Sequence, residues 1–523
     1  MVRPQALVAW TIVISTAFRF VLAAAAIDFG KSEAYYIATA RHLALSYFDH
    51  PPLSFWMTWA VLKLTGSDAL LVVRTPFIAL FIATTWLTYR LGAELFNERA
   101  GALAALLLNV SPLFTVSIGA WVQPDGPLVC FLLASTLCVV RLAYGPESGH
   151  RMLVWMQAGF WLGLAMLSKY YAVLLAVGFI VFALTSPAHR RWFSEPGPYV
   201  AGIVVLAVFS PVLIWNYQND WVSFGFQGGR FFENNGLLLR SLSSSILGQA
   251  GLVGPWIWAP MIYFGARALW NGPQDSKPWL LAITGAMPIV LFTANALWTP
   301  VSGHFHWQAP GYLMLFPLLG KLTAERLSEG ILATKRWVTA SVWAMPLIIV
   351  LVGAQAITGW ARVLVPNSLS ELVNPDPTLK GLGWASLRPA IAAHGLLQKP
   401  QLFVVSVGIR EVGRIDFELG KFLPVVCLCQ DPRNIAFLWD THDFEGWDAL
   451  IVVTDEAVPL IQAEYGQNFR KIQFLDKVDI RRANDIVLTV HVYYASDYYK
   501  PYQLPLTAHW TTRLRQGNGL GPQ

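Results

Sequence analysis

Charge is scarce in this chain. Of 523 residues only 13% are Asp, Glu, Lys or Arg, about half of the roughly 25% usual in a soluble globular protein. That deficit excludes a disordered chain, a nucleic-acid binder built on basic patches and an ordinary cytosolic enzyme. The balance of 37 Lys+Arg against 31 Asp+Glu leaves only +6, so where the charges sit matters more than their sum. Four cysteines are too few for a disulfide scaffold. Cys130 and Cys138, two turns apart in an apolar run, read as packing residues. Cys427 and Cys429, two apart in one strand, are expected neither to bridge nor to serve metal or redox chemistry. No glycine-rich phosphate loop and no convincing internal repeat is present, and no His, Cys or acid spacing is strong enough to claim a metal. No cofactor is therefore assigned, a divalent cation being left open.

What is abundant is apolar surface: 55% of residues are hydrophobic, with 23 Trp and 30 Phe. Runs near the roughly 20 residues that cross a bilayer fall at 5–27, 69–91, 100–118, 124–143, 199–217, 246–269, 278–298, 308–321 and 337–357. The stretch 153–185, with Lys169 near its middle, reads as two short helices meeting at that lysine. The first run resembles a cleavable signal, but it exceeds the usual 7–15 residues of such segments and carries Arg19. An uncleaved first helix is expected. The chain reads as a polytopic α-helical membrane protein with about eleven transmembrane helices, give or take two. Placing the N-terminus inside gathers Arg3, Arg90, Arg99, Arg141, Arg190, Arg191, Arg267, Arg326 and Arg336 in inner loops, as the positive-inside rule prefers. An odd span count then puts the C-terminus outside. The membrane part covers 1–365, with an outer first loop at 28–68; a proline-punctuated connector covers 366–399, and a small C-terminal periplasmic α/β domain covers 400–523. Within it Gln401–Val407, Val425–Leu428, Ala449–Thr454 and Asp485–Tyr494 read as strands, and Arg410–Phe422 and Glu456–Tyr465 as helices. This domain is assigned no chemistry of its own.

The outer loops carry an unusual set of ionisable and aromatic groups. The first holds Ser32-Glu33-Ala34-Tyr35-Tyr36, an interfacial helix over 34–44, and then Tyr47-Phe48-Asp49-His50-Pro51-Pro52. Asp28 and Asp68 read as solvated loop acids. Asp125 follows Pro124 at the outer end of the fourth span, and Lys169-Tyr170 marks the break between the two short helices. Further outer segments are Trp215-Asn216, Asp220-Trp221, Gln227-Gly228-Gly229-Arg230 and His304-Phe305-His306-Trp307. Ionisable groups at membrane depth are costly, which makes them functional candidates. An anionic lipid-linked sugar at the outer leaflet needs such an assembly. Lys169 and Arg230 would hold a phosphate, aromatics would face the sugar ring, and a carboxylate would accept the proton of an attacking hydroxyl. No nucleotide-sugar is available outside the cytoplasm, so the donor must arrive on lipid.

In this order the motifs resemble membrane glycosyltransferases of the GT-C fold, of the bacterial aminoarabinose-transferase and protein O-mannosyltransferase type (families 39 and 83). The residues that carry the resemblance are Ser32-Glu33-Ala-Tyr-Tyr, Arg41-His42-Leu43, Tyr47 to Pro52, Pro124-Asp125-Gly-Pro127, Leu167-Ser168-Lys169-Tyr170, Trp215 to Phe224 and His306-Trp307-Gln-Ala-Pro310. The resemblance implies inverting transfer of a sugar from a polyprenyl phosphate at the periplasmic face of the bacterial inner membrane. It implies Asp49 with His50 as an acid-base pair, Asp125 as an acid at the head of the fourth span and Lys169 near the donor phosphate. Together with the residue reading, the expected catalytic acids are Asp49, Glu33 and Asp125, and the expected substrate contacts His50, Tyr35, Lys169, Tyr170, Arg230, Asp220, His306 and Trp307. The expected partners are the polyprenyl-phosphate-sugar donor, a lipid or glycan acceptor and membrane lipids, with no nucleic acid. The chain departs from the family at Ser32, where Asp precedes Glu in its relatives. Glu33 takes over the missing role, or Asp49 does, or the acceptor is an anion that needs no base, or the chain is inactive. The favoured acceptor is lipid A, its core or another glycolipid, with protein or polysaccharide as the minor branch. Two rival classes are a transporter or flippase, against which the one-sided acids count, and a non-catalytic assembly subunit.

Overall fold

The computed structural model describes residues 3–25, 30–146, 149–232, 236–299, 305–364 and 376–504. Long apolar runs without capping charges become helices buried against one another. In chain order these are α1 (Pro4–Ala25), α2 (Lys31–Ala40), α3 (Leu53–Thr65), α4 (Leu70–Leu95), α5 (Glu98–Asn109), α6 (Asp125–Tyr144), α7 (Arg151–Ser168), α8 (Val173–Thr185), α9 (Pro196–Gln218), α10 (Val222–Phe232), α11 (Leu239–Val253), α12 (Pro255–Asn271), α13 (Ser276–Asn295), α14 (Ala309–Ser328) and α15 (Leu332–Thr358). Among the described residues, α1, α4, α6, α9, α13 and α15 are long and apolar enough to cross a membrane. The centre of the bundle is α6 and α14, whose side chains join one continuous core through Leu132, Leu133, Tyr312, Leu313 and Phe316. At the periphery Ile14, Ile203 and Val350 are 64%, 66% and 64% exposed. Apolar stripes of this size face hydrocarbon in membrane helices, whereas water-facing helices carry charge there.

Several expectations change. The single run at 246–269 is two helices, α11 and α12, because Gly254 takes φ +95° just before Pro255. Only glycine adopts that backbone readily, and proline then fits the first helical turn. The prolines at 51–52 do not simply stop the chain but lead into α3, a short apolar helix absent from the sequence reading. The run at 100–118 is α5 followed by a π-helical turn, Leu113–Ile118. Arg19, 1% exposed, reaches across to the Thr115 carbonyl (3.2 Å) and the Asn109 carboxamide oxygen (3.1 Å), which holds that irregular turn. Asp28, His304 and residues 366–375 of the connector lie outside the described residues.

After the bundle come α16 (Trp360–Leu364) and α17 (Leu387–Ala393), then β1 (Leu402–Ser406), α18 (Ile409–Leu419), β2 (Val425–Cys427), β3 (Asp448–Thr454), α19 (Ile461–Tyr465), β4 (Phe469–Arg482) and β5 (Asp485–Tyr498). The sheet order is β2-β1-β3-β5-β4, with β1, β2 and β3 parallel and β4–β5 an antiparallel hairpin. The parallel strands are apolar on both faces, as a sheet covered on two sides requires. Leu402, Val404 and Leu450 enter one core, while Phe403, Val405 and Ile451 enter the other. β4 escapes sequence reading because Arg470, Lys471, Asp476 and Lys477 and a register shift between Phe474 and Asp476 break its alternation. Cys427 and Cys429 form a disulfide, contrary to expectation, with Cα atoms 5.4 Å apart. β2 ends at Cys427, so Cys429 is no longer bound by the geometry of a continuous strand.

The α/β domain is seated on the first loop. Tyr35 of α2 belongs to the domain's core with Val412 and Ile415 of α18. The two helices touch backbone to backbone, since a Cβ at Gly413 would lie 2.5 Å from the Tyr35 nitrogen. Arg41 adds hydrogen bonds to the Asp416 carboxylate (2.8 Å) and carbonyl (2.7 Å). Asp68 is no solvated acid but pairs with Arg41 (3.4 Å) and Lys421 (2.6 Å). Gly413→Leu is therefore expected to destabilise the docked domain by about 1–3 kcal/mol through overpacking. Faster limited proteolysis within 400–504 is the measurement; unchanged cleavage would show that this seam tolerates separation.

Candidate active site

A cavity of about 450 Å³ opens between the first loop, the α7–α8 break, α10, α13 and the segment before α14. Its lining includes Ser32, Tyr36, His50, Asp125, Lys169, Tyr170, Tyr171, Arg230, His306, Trp307 and Arg433. Of the residues expected from sequence, His50, Asp125, Lys169, Tyr170, Arg230, His306 and Trp307 thus share one space. Asp125 arrives at the first turn of α6. Lys169 arrives where α7 ends in an extended residue, φ −151° and ψ 139°. The Lys169 ammonium donates to Asp125 Oδ2 at 2.7 Å and to the Tyr171 hydroxyl at 2.9 Å, and that hydroxyl donates to Asp125 Oδ1 at 3.3 Å. Both charged side chains are almost fully enclosed. His50 shares a hydrogen bond with the Tyr36 hydroxyl at 3.1 Å. The Arg230 guanidinium lies 5.3 Å from the ring centres of both Phe226 and Trp307, a cation–π arrangement that keeps the charge while excluding water from one side.

Three expected residues stand elsewhere. Glu33 is 3% exposed and does not line the cavity. Its carboxylate accepts from Arg74 Nε at 2.9 Å and Nη2 at 2.6 Å and from the Val122 and Gly30 amides at 2.9 and 3.2 Å. Arg74 and Val122 tie the start of α2 to α4 and to the segment before α6, while the Gly30 contact caps α2 itself. Tyr35 faces the C-terminal domain, where its hydroxyl accepts from the Asn434 amide at 3.4 Å. Asp220 is exposed in the α9–α10 turn with φ 53°. Asp49 is intermediate. It is 2% exposed and beside the lining, its carbonyl takes a 2.7 Å hydrogen bond from Gln227, and its Oδ1 is buried with no hydrogen-bond partner among the described residues.

Burial raises the Asp49 carboxyl above its usual range, with Arg433, Tyr35 and Arg230 opposing that shift. Burial also drives His50 well below the usual imidazole value, with Lys169 and Arg230 acting in the same direction. His306 is lowered to about 4, again chiefly by burial, with Asp125 opposing. Both rings are neutral at pH 7, so the positive charge of the cavity comes from Lys169, Arg230 and Arg433. The unfolded chain takes up protons on these imidazoles near 6.5, whereas folded His306 does so near 4. Stability carried by the neutral rings is thus present above pH 6.5 and is lost as pH falls toward 4. Thermal unfolding in detergent between pH 7.5 and 4 is expected to show that decline, with His306→Gln flattening part of it.

Sequence reasoning missed Tyr171, Tyr36 as the cavity-facing member of its pair, and Arg433. Tyr171 had a signal, being next to Lys169-Tyr170; Arg433 had none beyond a loop-like Asp-Pro-Arg-Asn. The α/β domain, to which the sequence reading assigns no chemistry of its own, nevertheless contributes Arg433 to the lining of the cavity. Among the described residues no cluster of three or more His, Cys, Asp or Glu side chains is placed to hold a metal.

Residues 49–215 match the family model described as dolichyl-phosphate-mannose-protein mannosyltransferase. The chain is 25% identical over 290 residues to the lipid A galacturonosyltransferase RgtD of Rhizobium johnstonii, covering 55% of this chain and 59% of that protein. It is 21% identical over 367 residues to an undecaprenyl phosphate-α-4-amino-4-deoxy-L-arabinose arabinosyl transferase of Proteus mirabilis, covering 68% and 61%. It therefore spans about three-fifths of the length of these curated relatives. The structure of ArnT from Cupriavidus metallidurans, solved with undecaprenyl phosphate bound, superimposes with a TM-score of 0.63 at 15% identity, over 99% of this chain and 100% of that one. The helical bundle with its appended sheet domain thus has the fold of ArnT, the GT-C fold.

Proposed function

We propose that this chain transfers a sugar, with inversion, from a polyprenyl-phosphate donor to a lipid acceptor, lipid A or another glycolipid, at the periplasmic face of the bacterial inner membrane. The observation that carries the reading is the cavity itself. Among the described residues three cations, Lys169, Arg230 and Arg433, converge with one lining carboxylate, Asp125, and a wall of aromatic rings. That surplus of positive charge suits a phosphate, and the rings suit a sugar face and a prenyl chain. The names of the relatives, which act on lipid A or use undecaprenyl phosphate, support the same class.

In this reading the acceptor oxygen attacks the anomeric carbon on the side opposite the phosphate. The carbon–oxygen bond to phosphate breaks, and the lipid phosphate leaves with the electron pair. Lys169 and Arg230 stabilise that charge as it forms, in a site screened from water where fixed cations act most strongly. Asp125 orients Lys169 through their 2.7 Å contact. A hydroxyl acceptor gives its proton to Asp125 or to Asp49, and an anionic acceptor needs neither. Glu33, held by Arg74, has the structural task of shaping the first loop. His50, Tyr36, Tyr170 and Trp307 shape the sugar pocket. The topology proposed with it has an inner N-terminus, about eleven spans and an outer α/β domain.

The test is mass spectrometry of total membrane lipids from cells with the intact protein, with Asp125→Asn, with Asp49→Asn and with none. A lipid heavier by one sugar residue, present with the intact protein and absent from the deletion strain, is expected; its loss in one Asn variant identifies the acid that matters. Identical lipids in all four strains would remove the lipid-acceptor reading.

A further inference from the structure

We propose that Arg433, supplied by the C-terminal domain, is an oxyanion-binding residue of the cavity, closing on the same phosphate that Arg230 meets from the membrane part. This rests on the transferase reading above. The geometry is specific. The guanidiniums of Arg230 and Arg433 lie 5.3 and 5.6 Å from the centre of one ring, Phe226. Two cations near one ring repel each other, an anion between or beside them offsets that repulsion, and among the described residues the carboxylates acting on both are Asp49 and Asp431. Asp431 holds the Arg433 Nε at 3.2 Å. That contact occupies one edge of the guanidinium fork.

The backbone is shaped to this end. Arg433 has φ 44°, a left-handed conformation that a long side chain rarely adopts. Strain of that kind persists where the surroundings over-determine it, often at ligand clamps. The surroundings here are explicit. The Cys427–Cys429 disulfide ties the start of the segment. Its far side is fixed by Asn434, whose side-chain oxygen accepts from the Phe48 amide at 3.1 Å, and by Phe437 stacked on Phe48 at 5.6 Å. Arg433 is thus presented at a set position over Asp49-His50. A planar fork suits a phosphate oxygen pair better than an ammonium does. The anion is the donor's phosphate or an anionic group of the acceptor, which share this chemistry.

The experiment uses the full chain in lipid nanodiscs, measuring undecaprenyl phosphate affinity, acceptor KM and unfolding temperature for wild type, Arg433→Gly and Arg433→Lys. Glycine accepts φ 44° without strain, so the Gly variant is expected to unfold no earlier than wild type. At least a tenfold loss of undecaprenyl phosphate affinity in Arg433→Gly, smaller in Arg433→Lys, assigns the contact to the donor. Unchanged donor affinity with acceptor KM raised tenfold, again partly rescued by Lys, assigns it to the acceptor. Both quantities unchanged in Arg433→Gly would overturn the inference and leave the transferase reading intact. Failure of wild type to bind undecaprenyl phosphate would remove both.

Discussion

Lys169→Ala is expected to abolish measurable sugar transfer and to lower stability together. Removing a single preorganised charge-stabilising donor typically costs about 10²–10³ in rate, and Lys169 also holds the orientation of Asp125 at 2.7 Å. The stability loss follows from burial. Asp125 and Lys169 are both almost fully enclosed, and taking away one partner leaves a charge that neither water nor protein compensates, at about 3–5 kcal/mol. A paired replacement separates the two effects. Lys169→Met with Asp125→Asn removes both charges, so unfolding temperature should largely recover while transfer does not. Recovery of transfer in the double variant would show that the pair is scaffolding and that Arg230 and Arg433 suffice for the phosphate.

Arg74→Ala should produce the opposite pattern, a large structural loss with little specific effect on chemistry. Glu33 and Arg74 form a two-pronged ion pair, with side chains 4% and 5% exposed. Their separation strands Glu33 at the seam of α2, α4 and the Val122 segment, again at about 3–5 kcal/mol. Glu33→Gln should cost a comparable amount, because it takes the counter-charge from the buried Arg74 and turns an amide NH2 toward N–H donors. The fraction of protein that remains folded should keep near-normal acceptor KM in both variants. A selective collapse of turnover in well-folded Glu33→Gln would return Glu33 to the chemistry.

Residue by residue, legibility followed how local each cause is. Lys169 was visible because a lysine interrupts an apolar run, and the helices do part there. Asp125 was visible because a proline and an acid open a helix at the end of a span. Glu33 was visible as a buried-looking acid but its partner was not, since Arg74 is 41 residues away and only folding joins them. Tyr35 and Tyr36 were equivalent on paper; helix phase sends one to the α/β domain and the other to His50. Asp220 stood in a motif-like segment, yet its left-handed turn points it outward. The disulfide was misjudged because the period of a strand was applied one residue past the strand's end. Arg433 was beyond reach of any pattern: the contact that brings its neighbour Asn434 to Phe48 spans 386 residues.

That same span has a consequence for the order of biosynthesis. Ser32 and His50 leave the ribosome well before Arg433, so for a time the membrane helices exist beside a cavity that lacks the wall Arg433 supplies. A nascent or interrupted chain holds Lys169 and Asp125 but lacks the Arg433 guanidinium and the Phe437 ring that stacks on Phe48. Closure of so long a loop is slow to nucleate, because its entropy is lost before its contacts form. The lining of the cavity is therefore completed only once the sheet domain has folded and seated itself on α2.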